Sequence, residues 1–287
     1  MTYRYILWYT TVNHQLKFSE KPILNSNHNS RKTIFAVVLF ILSFYPAPLW
    51  AESGNILVAT ASSMKLVFEE LARDFQRHHP GIKVKISSGS SGNFFSQIKH
   101  GAPFDIFFSA DMGYPLRLAE EGQSWDENQA VPYAVGRIVL WSPKKRKLDV
   151  QKKKSKLLLS KKILKIAIAN PKHAPYGMAA VEWLTKAGIY SQVKPRLVLG
   201  ENISQAAQFA HTGAAQAGVL ALSLALDPKM VAAGNFWEIP EDQYSPIEQG
   251  FLILKNTKNP KAAQSFADFV VSPAGSRVLR KYGFALP

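Results

Sequence analysis

From residue 55 onward, short unbroken apolar runs alternate with stretches in which apolar residues recur every third or fourth position. The first kind reads as buried strand, the second as a helix with one face on a core. Residues 55–61 (NILVATA) form a strand. Val67, Leu71 and Phe75 then stand four apart and mark a helix, stopped by His79, Pro80 and Gly81. A strand at 83–87 (KVKIS) breaks at SGSSGN, a helix runs through Gln97 to near Gly101, and 104–108 (FDIFF) is a third strand. A helix at 114–121 is closed by Gly122, which tolerates a left-handed backbone.

The pattern then restarts. Strands are expected at 137–141, 165–169, 197–199, 217–222 and 250–254, and helices at 179–187, 203–212, 261–270 and 274–282. Strands that are apolar throughout and alternate with helices predict parallel sheets covered on both faces. The fold class is therefore α/β, in two lobes.

Residues 34–45 (IFAVVLFILSFY) form an uncharged run of 12 behind Arg31 and Lys32. That is short of the roughly 20 residues a spanning helix needs and suits the core of a secretory signal. Pro46, Pro48 and Ala51 supply a helix break and a small residue, so residues 1–51 read as a signal peptide with a long n-region, cleaved near Ala51. An uncleaved anchor is the alternative.

The remaining 236 residues carry 30 basic and 19 acidic side chains, net +11, and the chain has no cysteine. Disulfides, thiolate metal sites and a cysteine nucleophile are excluded. Nearly all the charge is local, because 144–165 holds eleven Lys or Arg against Asp149 alone. The run has no aromatic residue with which to stack bases, so nucleic acid is not the expected partner. A solvated, extended, partly helical loop is the expectation; contact with anionic lipid or an acidic partner is the alternative.

Catalytic and metal-binding motifs are absent: no P-loop, no G-x-G-x-x-G after a strand, no H-E-x-x-H, no calcium loop. The serines of Gly89-Ser90-Ser91-Gly92 do not have nucleophile-elbow spacing. A different device recurs three times: a strand ends in a small or hydroxylated segment that opens a helix. These segments are Ser62-Ser63, the 88–92 loop (SGSSG) and 170–177 (NPKHAPYG). Helix N-termini present unpaired N–H groups and the positive end of the dipole, serine adds a hydroxyl, and glycine lets the backbone approach. Simple N-capping is the plain alternative for each loop, but three across two lobes point to an anion cleft. The loops offer one lysine, Lys172, and no carboxylate to accept a proton from the ligand. A donor-only site suits a fully deprotonated dianion, sulfate-like or molybdate-like, over phosphate.

The stretches NILVATASSMKLVFEELA, SGSSGNFFSQIKHGAPFDIFFSAD, IANPKHAPYG, GENISQAAQF, AGVLALS and SPAGSRVLRKYGF together resemble the periplasmic molybdate-binding proteins of ABC transporters. The resemblance covers nearly all of residues 52–287. It implies a type II periplasmic-binding-protein fold, each lobe a mainly parallel sheet flanked by helices, with a hinge of two chain crossings. Lobe one would be 52–133 plus 245–287, and lobe two 134–244, with the basic insert 144–165. Position by position, it implies that molybdate or tungstate is held by Ser63 with Ser62, by Ser91 with Ser90, by Tyr176 and by the Ile203 N–H. No metal ion or cofactor accompanies the oxyanion. Some members have a tyrosine ligand where this chain has Ala221, and Tyr176 is expected to supply that hydroxyl. The implied partners are an ABC permease and its ATPase at the inner membrane, the implied state a periplasmic monomer without catalytic activity. A binding protein for another oxyanion such as sulfate, an exported serine hydrolase, and a surface adhesion protein acting through 144–165 are the rivals.

Overall fold

The computed structural model describes residues 54–125 and 130–287. The signal segment 1–51 lies outside the described residues, as do 52–53 and 126–129 of the first expected lobe. Every described element belongs to one compact unit, Trp50–Pro287.

Ten strands run in chain order: β1 (Gly54–Ala61), β2 (Ile82–Gly89), β3 (Ile106–Ser109), β4 (Val131–Gly136), β5 (Ile138–Pro143), β6 (Ile166–Ala169), β7 (Leu197–Gly200), β8 (Ala217–Ala221), β9 (Gly234–Glu238) and β10 (Ile247–Ile253). They form two five-stranded sheets, ordered β2-β1-β3-β10-β4 and β7-β6-β8-β5-β9. β1 pairs in parallel with β2 and β3, and β6 with β7 and β8. β10 and β5 run against both of their neighbours. Each is the strand by which the chain enters from the other sheet, which is why it runs counter to an otherwise parallel set. The chain leaves sheet one at Gly136, only Arg137 separating β4 from β5, and returns between β9 and β10.

The longer helices are α1 (Lys65–His78), α2 (Ser91–Lys99), α3 (Gly113–Glu120), α4 (Pro175–Lys186), α5 (Ile203–Thr212), α6 (Pro260–Val271) and α7 (Pro273–Lys281). α4 starts four residues before the sequence pattern suggests, because Pro175 takes the first helical position, where no N–H is needed. Gly188 and Gly213, at φ 69° and 85°, close helices in the left-handed conformation that glycine adopts freely.

The apolar beat of α1 buries Val67, Leu71 and Phe75 against sheet one. There Phe68 packs edge-on to Phe108 at 4.6 Å and to Phe266 at 6.2 Å. Truncating Phe68 to alanine would cost about 3–5 kcal/mol, since the ring is fully enclosed. A second cluster around Trp141 and Trp183 fills lobe two. Two strands, β4 and β9, escape the apolar pattern. Both lie at sheet edges, where one side meets solvent and Pro132 is tolerated.

The basic segment is partly helical, as expected, but it is anchored rather than free. Asp149 caps a short helix, Val150–Lys153, by accepting the Lys152 N–H at 2.9 Å. A 3-10 helix, Lys154–Leu159, follows. Val150, Leu157, Leu158 and Ile163 are buried and anchor the segment to lobe two, so apolar anchoring outweighs like-charge repulsion.

Candidate functional site

Four strands end at one place, and each end opens a helix. β1 runs into a 3-10 turn, Ser62–Met64, that leads to α1; β2 ends one residue before Ser90, the cap of α2. β6 leads through 170–174 into α4, and β7 through Asn202, the cap of α5. These are carboxyl edges of parallel strands, where N–H-rich helix starts face the crevice between lobes.

Ser62, Ser63, Ser90, Ser91, Tyr176 and Ile203 line one cavity there, from both sides. It is small: about 10 Å³ is open to the centre of a water-sized body, on the scale of one water. Sugars and amino acids do not fit. No carboxylate and no lysine or arginine lines it. Among the described residues, no group of three His, Cys, Asp or Glu is placed to hold a metal ion.

The hydroxyls are not equivalent. The Ser63 Oγ is buried with no partner of hydrogen-bonding geometry, a costly state for a hydroxyl in a dry site. It stands near enough to the Tyr176 hydroxyl to oppose the rise of that group's pKa. The Ser91 Oγ accepts the Ala110 N–H at 2.9 Å, which leaves its own proton to give. The Ser62 Oγ accepts the Ser204 N–H at 3.3 Å and likewise keeps its proton. The Ser90 hydroxyl, by contrast, donates to the His173 carbonyl at 2.6 Å and lies 2.8 Å from His173 Nδ1, so it fastens the lobes together. The Ile203 N–H is in the first turn of α5 and has no intrahelical acceptor.

Tyr176 is oriented by a relay. The Gln249 Nε2 donates to its hydroxyl oxygen at 3.1 Å, and the Tyr133 hydroxyl donates to the Gln249 Oε1 at 3.0 Å. An oxygen that already accepts must send its proton elsewhere, so the relay makes Tyr176 a donor. Burial, the largest influence, pushes its pKa above the ordinary tyrosine value and keeps that proton on. Gln249 is fully buried beside the irregular step in the β10–β4 pairing.

Further bonds bridge the lobes around the cavity. Ser204 donates to the Ser62 carbonyl at 3.0 Å, Ser223 to the Ser63 carbonyl at 2.7 Å, the Gly92 N–H to the His173 carbonyl at 2.9 Å, and Asn93 to Glu201 at 2.6 Å. The lobes are closed on each other. Ala221 is buried at the end of β8 and does not line the cavity; Ser223, two residues on, reaches toward Ser63 instead. Sequence patterns do not assign these roles to Tyr133, His173, Ser204, Ser223 or Gln249, because each acts on a residue at least 73 positions away. Three of them do sit in stretches that invited scrutiny: His173 in NPKHAPYG, Ser204 in GENISQAAQF and Ser223 in AGVLALS.

Comparison with known proteins agrees with this architecture. A family model described as bacterial extracellular solute-binding protein matches residues 56–285. The molybdate-binding protein ModA of Azotobacter vinelandii is 39% identical over 237 residues, covering 82% of this chain and 92% of that protein. ModA of Rhodobacter capsulatus is 37% identical over 234 residues, covering 82% and 89%. The solved periplasmic molybdate-binding protein of A. vinelandii superposes with a TM-score of 0.74 at 33% identity, over 81% of this chain and 99% of that one.

Proposed function

The chain belongs to the bacterial extracellular solute-binding protein family and is a relative of the ModA molybdate-binding proteins, and on that premise we propose that it captures molybdate or tungstate outside the cytoplasm for an ABC importer. One observation carries the choice of ligand. Donors from both lobes converge on one small cavity, and no carboxylate lines it. A dianion that only accepts hydrogen bonds satisfies such a site, whereas a hydrogen-bearing anion would point a proton at a donor.

In this reading Ser63, Ser91, Tyr176 and the Ile203 N–H donate directly. Ser62 and Ser90 contribute chiefly by holding the lobes together. No metal ion or cofactor takes part. The two crossings act as a hinge, and an ion that bonds to both lobes stabilises the closed form. That form would dock on the permease, the signal having been cleaved near Ala51.

Ser90, His173 and Glu201 invite a second reading, since His173 lies between the serine at 2.8 Å and the carboxylate at 3.7 Å. A serine hydrolase is nevertheless disfavoured. The Ser90 proton is committed to the His173 carbonyl at 2.6 Å, and the cavity has no room for an acyl substrate.

The test is thermal melting and calorimetry on the anion-free protein with molybdate, tungstate, sulfate and phosphate. Ligand at about a thousand times its Kd adds roughly 4 kcal/mol to folding. A large shift with molybdate and tungstate and little with sulfate is expected. Equal shifts with sulfate would assign the site to oxyanions generally.

A further inference from the structure

The basic segment has no role in the cavity, yet it is built. Among the described residues, none of its cationic side chains forms an ion pair. Lys145, Arg146 and Lys162 line one open recess together with Leu148, and no acid joins them. Next to this recess a tight turn, closed by the Ile163 N–H donating to the Ser160 carbonyl at 3.0 Å, presents Lys161 and Lys162. Arg196 is tied to the same turn by donating to the Ile163 carbonyl at 2.7 Å.

Two leucines of this segment face water instead of the core. Leu164 is 68% exposed and Leu159 is 40% exposed, while Leu157, Leu158 and Ile163 around them are buried. Leu164 is held in place by its backbone. The Gln216 Oε1 accepts the N–H of Leu164 at 3.0 Å and of Lys165 at 2.8 Å, which fixes the backbone. Leucines presented among lysines that form no ion pair suit a surface that is anionic outside and apolar just beneath.

We propose that this face of lobe two binds an anionic lipid bilayer, with the lysines on headgroup phosphates and Leu159 and Leu164 at the acyl boundary. Specific protein interfaces are enriched in aromatics and depleted in lysine, whereas this segment has ten lysines and no aromatic. Single-stranded nucleic acid would want aromatics free for stacking; the segment has none, and the neighbouring Trp237 ring is covered by Lys154 Nζ at 5.6 Å. Lysines near an anionic bilayer act almost independently, each strengthening binding about fivefold. Long side chains can reach the headgroups while their stems cover apolar surface. Among the described residues no helix is long and apolar enough to cross a membrane, so the contact would be peripheral. It would hold the protein at a membrane surface whichever anion the cavity takes.

The experiment is sedimentation of the unit 50–287 with phosphatidylglycerol-rich vesicles and with vesicles of phosphatidylcholine alone. Binding to the first and not the second, weakening steeply with salt, is expected. The triple variant Lys161→Gln, Lys162→Gln, Lys165→Gln should bind on the order of a hundredfold more weakly. Leu164→Asn, which keeps every charge, should also bind more weakly. Both variants should keep the wild-type melting point and anion response, since none of these residues touches the cavity. Equal binding to both vesicle types, or undiminished binding by the triple variant, would overturn the proposal. So would capture of soluble polyphosphate or an acidic peptide with no vesicle binding.

Discussion

Gly136 sits where the chain leaves sheet one, and it touches no ligand in the proposed site. Its φ is outside the left-handed region, so alanine would meet no backbone strain. Space is the obstacle. A Cβ there would overlap the Tyr176 hydroxyl and stand 2.8 Å from Gln249 Nε2 and 3.0 Å from Tyr176 Cζ. Gly136→Ala therefore pushes the tyrosine hydroxyl off the relay that aims it. A hydrogen bond to a charged group contributes about 1.5–3 kcal/mol, so molybdate affinity should fall about 10- to 150-fold. Overpacking adds a cost of about 1–3 kcal/mol to the ligand-free protein, which for this size lowers Tm by roughly 2–4 °C per kcal/mol. Calorimetry reads the first effect and melting the second. The pair with Tyr176→Phe supplies the control. Removing the hydroxyl removes the closest overlap and leaves the contacts with Gln249 Nε2 and Tyr176 Cζ, so the double variant should bind like Tyr176→Phe alone and recover part of the stability. If Gly136→Ala binds molybdate as wild type does while Tyr176→Phe does not, the relay does not position the hydroxyl.

Ser63→Ala and Ser91→Ala should each weaken molybdate binding by about 1–3 kcal/mol, because ligand oxygens would be left unpaired in a dry cleft; wild-type titrations for both would move the site elsewhere. Tyr133→Phe frees the Gln249 amide to turn its oxygen toward Tyr176, so affinity should drop without any lost ligand contact. A double-mutant cycle with Tyr176→Phe should then be non-additive. Glu70 of α1 accepts from Lys281 Nζ at 2.7 Å and from the Tyr282 hydroxyl at 2.8 Å. Burial alone would raise its pKa, but those bonds and the Lys281 charge outweigh it and hold the pKa below 4.5. A depressed carboxylate stabilises the fold above its unfolded pKa, and that contribution is lost as pH falls through the folded value. Glu70→Gln should thus melt lower than wild type at neutral pH and converge with it in acid below pH 4.5. A gap that persists in acid would assign the effect to packing.

Much of this protein was legible in its sequence because some of its signals are local. Strands β1, β3, β6 and β8 are buried on both faces, so their apolar runs declare them without knowledge of their partners. The strand-end serines and the NPKHAPYG turn are local too, and the chemistry of a donor-only cleft follows from residue types. Strands β4 and β9 were hidden because exposed positions interrupt any apolar run in them, and β10 and β5 show no sign in themselves of running against their sheets. Tertiary structure alone decided which hydroxyl is free. Ser62, Ser63, Ser90 and Ser91 read alike in sequence, yet Ser90 is spent on His173, 83 residues away, while Ser63 keeps an unpartnered oxygen. It also decided that Tyr176 must donate, through Gln249 and Tyr133, and that the lysine-rich segment lies anchored with two leucines outward. A hydrogen-bonding group's role depends on which neighbours have already claimed it, and those neighbours are brought together only by the fold.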